Sequence, residues 1–210
     1  MARSCRRFLQ QTEFGQDRFV EPLARFLAAH PRVDVEWQLR DEVRDFVGAG
    51  IDCAVQVGLP RDPGVIAVRL GEVPRIAVAA PALAGERRIR EARDLARLPW
   101  LALRQYYLHD VTLTHARTDE TYRFDIRPRM VTDNLYALRS AARLGVGACL
   151  ASAWLLDDDL ASGRLVHLAP SWRAAPLPMY LVYPRAQFYP SRLQRFIDVM
   201  RAAVPSLASR

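Results

Sequence analysis

Apolar residues recur at helical spacing at Phe19, Val20, Leu23, Phe26 and Leu27, after Asp17, with Pro22 near the predicted start and Pro31 ending the run. The next stretch, VDVEWQL, alternates apolar and polar positions at Val33, Val35, Trp37 and Leu39, the two-residue period of a half-buried strand. Asp41 and Glu42 suit the positive end of a short helix bearing Val43, Phe46 and Val47, which Gly48 and Gly50 terminate. A strand from Ile51 to Val57 follows, then a turn-rich segment from Gly58 to Gly64 and two separate β-like runs, VIAVRL and RIAVAA. Helix and strand thus alternate through the first third, which predicts a mostly parallel sheet with helices on its faces.

The texture changes after Pro81, where an Arg/Glu/Ala-rich stretch leads into PWLALR and two alternating runs that pair as a hairpin around Arg117-Thr-Asp-Glu120. Asp133 is placed to cap a helix whose apolar face is Leu135, Leu138 and Ala142 and whose end is Gly145. The strand VGACLA, a helix through Leu160, RLVHLAP, a Pro-rich loop, the strand PMYLVY and a last amphipathic helix (Leu193, Phe196, Ile197, Met200) complete the chain. A second texture break near Pro184 suggests that the chain leaves a first lobe, builds a second and returns. No fixed-period repeat interrupts this α/β alternation.

Composition adds limits. Half of the 210 residues are apolar, enough for a packed core. The net charge is +7, and all 30 cations are Arg, a uniformity that fits codon bias better than a nucleic-acid surface. The densest runs, Arg6-Arg7 and Arg87-Arg88-Ile89-Arg90, are short and far apart. Cys5, Cys53 and Cys149 are odd in number and widely spaced; Cys53 and Cys149 sit in apolar runs and read as small buried hydrophobes of a reducing compartment. The N-terminal MARSCRRFLQQTEF carries no apolar signal core, and no run reaches the length of a membrane span, so a cytoplasmic protein with no membrane partner is expected.

Motifs for chemistry are sparse. Gly145-Val-Gly147 follows a helix and precedes a strand, the reverse of a dinucleotide loop, and reads as a helix C-cap. A chain without Lys has no phosphate-binding P-loop, and no serine lies in a nucleophile elbow. His30, His109, His115 and His167 lack metal-ligand spacing and read as structural. Asp157-Asp158-Asp159 lacks calcium-loop spacing and reads as an exposed helix end. The aromatic pairs Tyr106-Tyr107 and Phe188-Tyr189 suit the edge of the core better than a ligand stack. No catalytic residue, metal or cofactor is assigned, and the protein is expected not to be an enzyme. What remains is two helix starts, Thr12-Glu13-Phe14-Gly15 and Thr132-Asp133-Asn134, each presenting backbone N–H groups and a positive dipole end that hold carboxylates or phosphates; ordinary capping is the competing role.

From Phe14 to Pro205 the chain resembles the effector-binding domain of LysR-type transcriptional regulators. FVEPLARFLAAHPRVDVEWQL is similar to that family's first helix and second strand, GIDCAVQVG to its Gly-x-Asp strand, and VRLGEVPRIAVAAPAL to its crossing strand. NLYALRSAARLGVGACLASAWLLDDDLASGRLVHLAPSWRAAPLPMYLVYP is similar to the central helix through the returning strand. The resemblance implies an α/β, type II periplasmic-binding-protein-like fold: two Rossmann-like lobes, 1–78 with 183–210 and 79–182, joined by two crossing strands. It further implies a small organic, anionic effector in the cleft between lobes, bound by Thr12, Phe14, Arg40, Gly58, Arg61, Thr132, Asp133 and Asn134. Homo-oligomers, dimers or tetramers, are implied as well.

Two departures accompany the resemblance. The family's winged helix-turn-helix is absent, so DNA would be reached only through a longer parent protein. Met1 to Gln11 stands where the family has an alternating apolar strand, yet CRRFLQQ alternates little; either Phe8 to Thr12 serves poorly in its place, or the chain is a truncated or frame-disrupted remnant acting only by dimerisation. A transporter's solute-binding protein shares the fold and would be expected to carry a secretion signal.

Overall fold

The fold is that of a computed structural model, which describes residues 4–10, 16–39, 46, 48–60, 62–85, 89–189 and 191–208. The chain begins with β1 (Ser4–Gln10), α1 (Gln16–Ala29), β2 (Val33–Leu39), β3 (Cys53–Val57) and the long β4 (Val65–Ala79). Two short helices follow, α2 (Pro81–Ala84) and α3 (Ala92–Leu95), then β5 (Trp100–Leu103), the pair β6 (Asp110–His115) and β7 (Thr121–Asp125), and β8 (Pro128–Thr132). The rest is α4 (Leu135–Arg143), β9 (Cys149–Ser152), α5 (Ala153–Ala161), β10 (Val166–His167), β11 (Trp172–Pro184) and α6 (Ser191–Ala208). These elements form two compact units, Met1–Val73 with Leu177–Arg210, and Pro74–Pro176. The breaks fall on the N-terminal side of the expected junctions after 78 and after 182.

In the first unit β1 lies between β2 and β3, parallel to both, with Phe8 opposite Trp37 on one side and Cys53 on the other. The expectation that Phe8 to Thr12 would serve poorly as this strand is therefore corrected for Phe8–Gln10, while residues 11 and 12 lie outside the described residues. Backbone pairing along both edges makes this segment a central strand, and that pairing leaves no mark in the side-chain alternation from which strands are read. The helix α1 packs on α6 through Phe19, Leu23 and Phe26 against Leu193, Phe196, Ile197 and Met200, all buried. Phe26 and Phe196 meet edge to face at 5.1 Å. Val20, expected on the apolar face, is instead exposed. Pro22 lies inside α1. The short helix expected around Val43 to Val47 falls mostly outside the described residues.

The second unit carries a contiguous core in which Trp100, Leu101, Leu113, Leu138, Leu156 and Leu165 are essentially solvent-free. The indole of Trp100 donates to the Leu95 carbonyl at 2.9 Å, which satisfies its only polar atom inside that core. β5 and β8 run parallel, whereas β6 and β7 form the expected hairpin, with Asp119 at the turn in the left-handed region (φ 56°). At the end of α4, Gly145 has φ 75° and its N–H bonds the Ala142 carbonyl, so this glycine is a helix stop. Two residues later, any side chain on Gly147 would meet the Pro99 oxygen and the Trp100 carbonyl carbon at 3.0 Å. The two glycines thus serve cap and close packing.

Two strands run longer than their sequence suggests. VIAVRL and RIAVAA are one strand, β4, and the Pro-rich loop before PMYLVY is the first half of β11. In β11, Trp172–Ala174 pairs with β6 and Met179–Val182 with β3, so Pro176 and Pro178 fall between those two ladders.

Candidate functional site

The carboxyl ends of parallel strands are where open α/β sheets present ligand-binding residues. In the second unit that edge is made by the ends of β5 and β8. The Arg104 amide donates to the Thr132 carbonyl at 2.9 Å, and the Gln105 side-chain amide donates to the Asp133 carbonyl at 3.1 Å. Thr132 Oγ1 in turn accepts from the Asn134 amide at 3.1 Å, turning the chain into α4. The helix is capped by Asn134, whose Oδ1 accepts from the Ala137 amide at 2.9 Å. This corrects the assignment of the cap to Asp133, whose side chain is exposed while its carbonyl is held by Gln105. Asn134 thereby satisfies one of the amides that an anion at this helix end would otherwise use.

Of the eight residues expected to bind an effector, Thr132, Asp133 and Asn134 are brought together here. Gly58 lies in the first unit, at φ 87°, with its amide donating to the Pro178 carbonyl at 2.8 Å. A residue with a side chain would be strained at that angle, and the amide already has an acceptor. Thr12, Phe14, Arg40 and Arg61 lie outside the described residues.

Residues that the pattern did not single out also make polar contacts in the second unit. Arg75, in β4, donates from Nε and Nη2 to the Ala175 carbonyl at 2.9 and 2.7 Å. Burial pulls its guanidinium pKa down, against an opposing pull from the phenols of Tyr107 and Tyr106. Among the described residues no carboxylate pairs with it. Tyr107 itself is structural: its hydroxyl donates to the Leu150 carbonyl and accepts from the Leu150 amide, at 3.2 and 2.9 Å. Within RIAVAA, Arg75 reads only as the polar position of a strand, so its burial had no signal in the pattern.

A second missed cluster centres on Asp159. The expected exposed Asp157-Asp158-Asp159 end is corrected: Asp157 and Asp158 are exposed, but Asp159 has no solvent-accessible surface. Arg139 Nε donates to Oδ2 at 2.5 Å, Arg164 Nε donates to Oδ1 at 2.7 Å, and Arg143 Nε stands 3.5 Å from Oδ1. Burial alone would push the Asp159 carboxyl up; the hydrogen bonds from Arg139 and Arg164, with the charges of Arg139 and Arg143, outweigh it and hold the carboxyl below its usual range.

Other candidates take structural positions. Cys53 and Cys149 are buried free thiols, and desolvation pushes Cys149 up to about 12. His115 Nδ1 bonds the Thr118 hydroxyl, and His30 packs on Phe26. His167 is partly buried, its Nε2 has no hydrogen-bond partner among the described residues, and burial lowers its pKa. Phe188 is exposed rather than at the core edge, whereas Tyr189 bonds the Pro184 carbonyl. Among the described residues no group of His, Cys, Asp or Glu is placed to hold a metal, and no helix is long and apolar enough to cross a membrane.

The family model described as LysR substrate binding domain matches residues 11–205. The HTH-type transcriptional regulator PtxR of Pseudomonas aeruginosa is 35% identical over 179 residues, covering 85% of this chain and 57% of that protein. The AhcY transcriptional activator HvrB of Rhodobacter capsulatus is 30% identical over 196 residues, covering 90% and 63%. The chain thus spans about three-fifths of the length of these relatives. In fold it is similar to the full-length virulence activator AphB of Vibrio cholerae (TM-score 0.80, 24% identity, 96% of this chain and 69% of that one). The regulatory domain of CrgA from Neisseria meningitidis is similar as well (TM-score 0.78, 19% identity, 96% and 99%). With its type II periplasmic-binding-protein-like α/β fold, the chain belongs to the LysR substrate-binding domain family.

Proposed function

We propose that this chain is the effector-sensing module of a cytoplasmic LysR-type transcriptional regulator, with a small organic anion as effector and no catalytic step, metal or cofactor. The observation that carries the reading is the family match over residues 11–205. DNA contact is assigned to the part of such regulators that these residues do not span, and the working form is a homo-oligomer. The effector-binding set is Thr12, Phe14, Arg40, Gly58 and Arg61 in the first unit and Thr132, Asp133 and Asn134 in the second. Support for an anion comes from Arg75, a partly desolvated cation whose described partner is a main-chain carbonyl. A carboxylate would give it the charge-assisted bonds it lacks. The effector acts only to the extent that it binds one arrangement of the protein better than another.

Titration calorimetry of the folded chain against a panel of small carboxylates tests this. At least one member is expected to bind, and Arg75→Gln is expected to weaken that binding about tenfold, the worth of a charge-assisted hydrogen bond. Asn134→Ala, which costs about 1 kcal/mol of helix capping, checks the second-unit set in the same titration. A folded wild type that binds no member would refute the anionic effector.

A further inference from the structure

Arg139 and Arg143 are four residues apart on α4 and therefore share a face, where like charges ordinarily repel. Arg164, three residues past the end of α5, reaches the same point from another direction. All three converge on one carboxylate, so the group carries three positive charges against one negative and retains a net +2.

Each guanidinium faces Asp159 through Nε. The terminal nitrogens, the forked ends that match oxyanions, are left over; among the described residues their one recorded partner is the Asp158 carbonyl, 3.4 Å from Arg164 Nη2. The side chains of Arg139, Arg143 and Arg164 are 20, 41 and 46% exposed, while Asp159 is closed off. Asp158 and Asp157 project about 100° and 200° away from Asp159 around the helix, so they do not share its face.

We infer that Arg139, Arg143 and Arg164, oriented by the buried Asp159, form an anion site on the second unit for a phosphate group. A phosphate dianion matches the excess charge of the cluster. Its three terminal oxygens suit donors arriving from two turns of one helix and from a separate loop, a number of donors that a single carboxylate does not accommodate as well. The buried aspartate acts as an organiser: it holds the three Nε edges inward so that the forks face out. The site is independent of the effector-binding set and does not rest on it.

The test is phosphorus NMR and calorimetric titration of inorganic phosphate into the folded chain at constant ionic strength, with succinate titrated in parallel. Saturable phosphate binding is expected, weakened about tenfold in both Arg143→Gln and Arg164→Gln, whose exposure lets them fold, and partly restored in Arg143→Lys. Asn134→Ala is expected to leave phosphate binding unchanged, which separates this site from the helix end. Absence of phosphate binding, wild-type affinity in the two Gln variants, loss of binding in Asn134→Ala instead, or succinate binding as tightly at the same arginines would each overturn the assignment.

Discussion

Replacing Asp159 by Asn keeps the shape of the side chain and removes the charge that three arginines share. Breaking a buried ion pair by deleting one partner costs about 3–5 kcal/mol, because the other charge stays behind without compensation. The environment here reduces that figure. Arg143 and Arg164 are 41 and 46% exposed, so water takes up much of their charge, and only Arg139, at 20%, remains substantially desolvated. A loss of about 2–3 kcal/mol is expected, which for a chain of this size lowers the melting temperature by roughly 4 to 12 °C. Tryptophan fluorescence suits the measurement, since Trp100 is buried in the core of the same unit.

The pH dependence has a definite sign. The carboxyl is held below its usual range in the folded protein, so its contribution is fully present above the unfolded value, near pH 4, and fades as pH falls through the folded one. The stability gap between wild type and Asp159→Asn should be constant above about pH 5 and close progressively in acid. An Asn variant within about 0.5 kcal/mol of wild type, the ordinary range for surface substitutions, would refute the claim that the cluster stabilises this unit. So would a gap that widens as the pH is lowered.

Two further predictions concern packing. Gly147→Ala, which would bring a Cβ to 3.0 Å from backbone atoms of Pro99 and Trp100, is expected to cost about 1–3 kcal/mol in chemical denaturation, whereas Gly163→Ala meets no neighbouring atom and suffers only from its positive φ. Cys53 and Cys149 are expected to resist a thiol reagent at pH 8 in a Cys5→Ser background and to react once denaturant is added; burial raises both thiols, with the Asp52 charge adding to the effect at Cys53. Rapid labelling of the native chain would refute the second of these.

The amphipathic helices were legible because one face meets the core and the other meets water. The apolar faces of α1 and α6 follow that rule at Phe19, Leu23 and Phe26 and at Leu193, Phe196 and Met200. Strands were harder wherever their surroundings differ from the half-solvated pattern. β1 has a partner on both sides, and β4 and β11 continue past prolines by exchanging one neighbour for another, Arg75–Val78 of β4 pairing with β9 just beyond Pro74. Of the candidate site, the turn from Thr132 to Asn134 was visible through its capping chemistry. The choice between Asp133 and Asn134 was not, because it depends on which carbonyl Gln105 reaches from 28 positions earlier in the chain.

Charge compensation is the least legible part for a reason specific to this chain. Burial of an apolar residue follows from its own periodicity, but burial of a carboxylate depends on which cations come to meet it. Those of Asp159 stand 20 and 16 positions before it and 5 after, at no helical or strand period relative to the aspartate that would mark all three as a set. With 30 arginines and no lysine, the sequence offers many equivalent partners, so three adjacent aspartates look like a solvated helix end. What separates Asp159 from Asp158 and Asp157 is a rotation of about 100° and 200° around α5, which turns it alone toward the arginines. A substitution scan across the three should therefore show one sensitive position beside two tolerant ones, a contrast that composition alone does not predict.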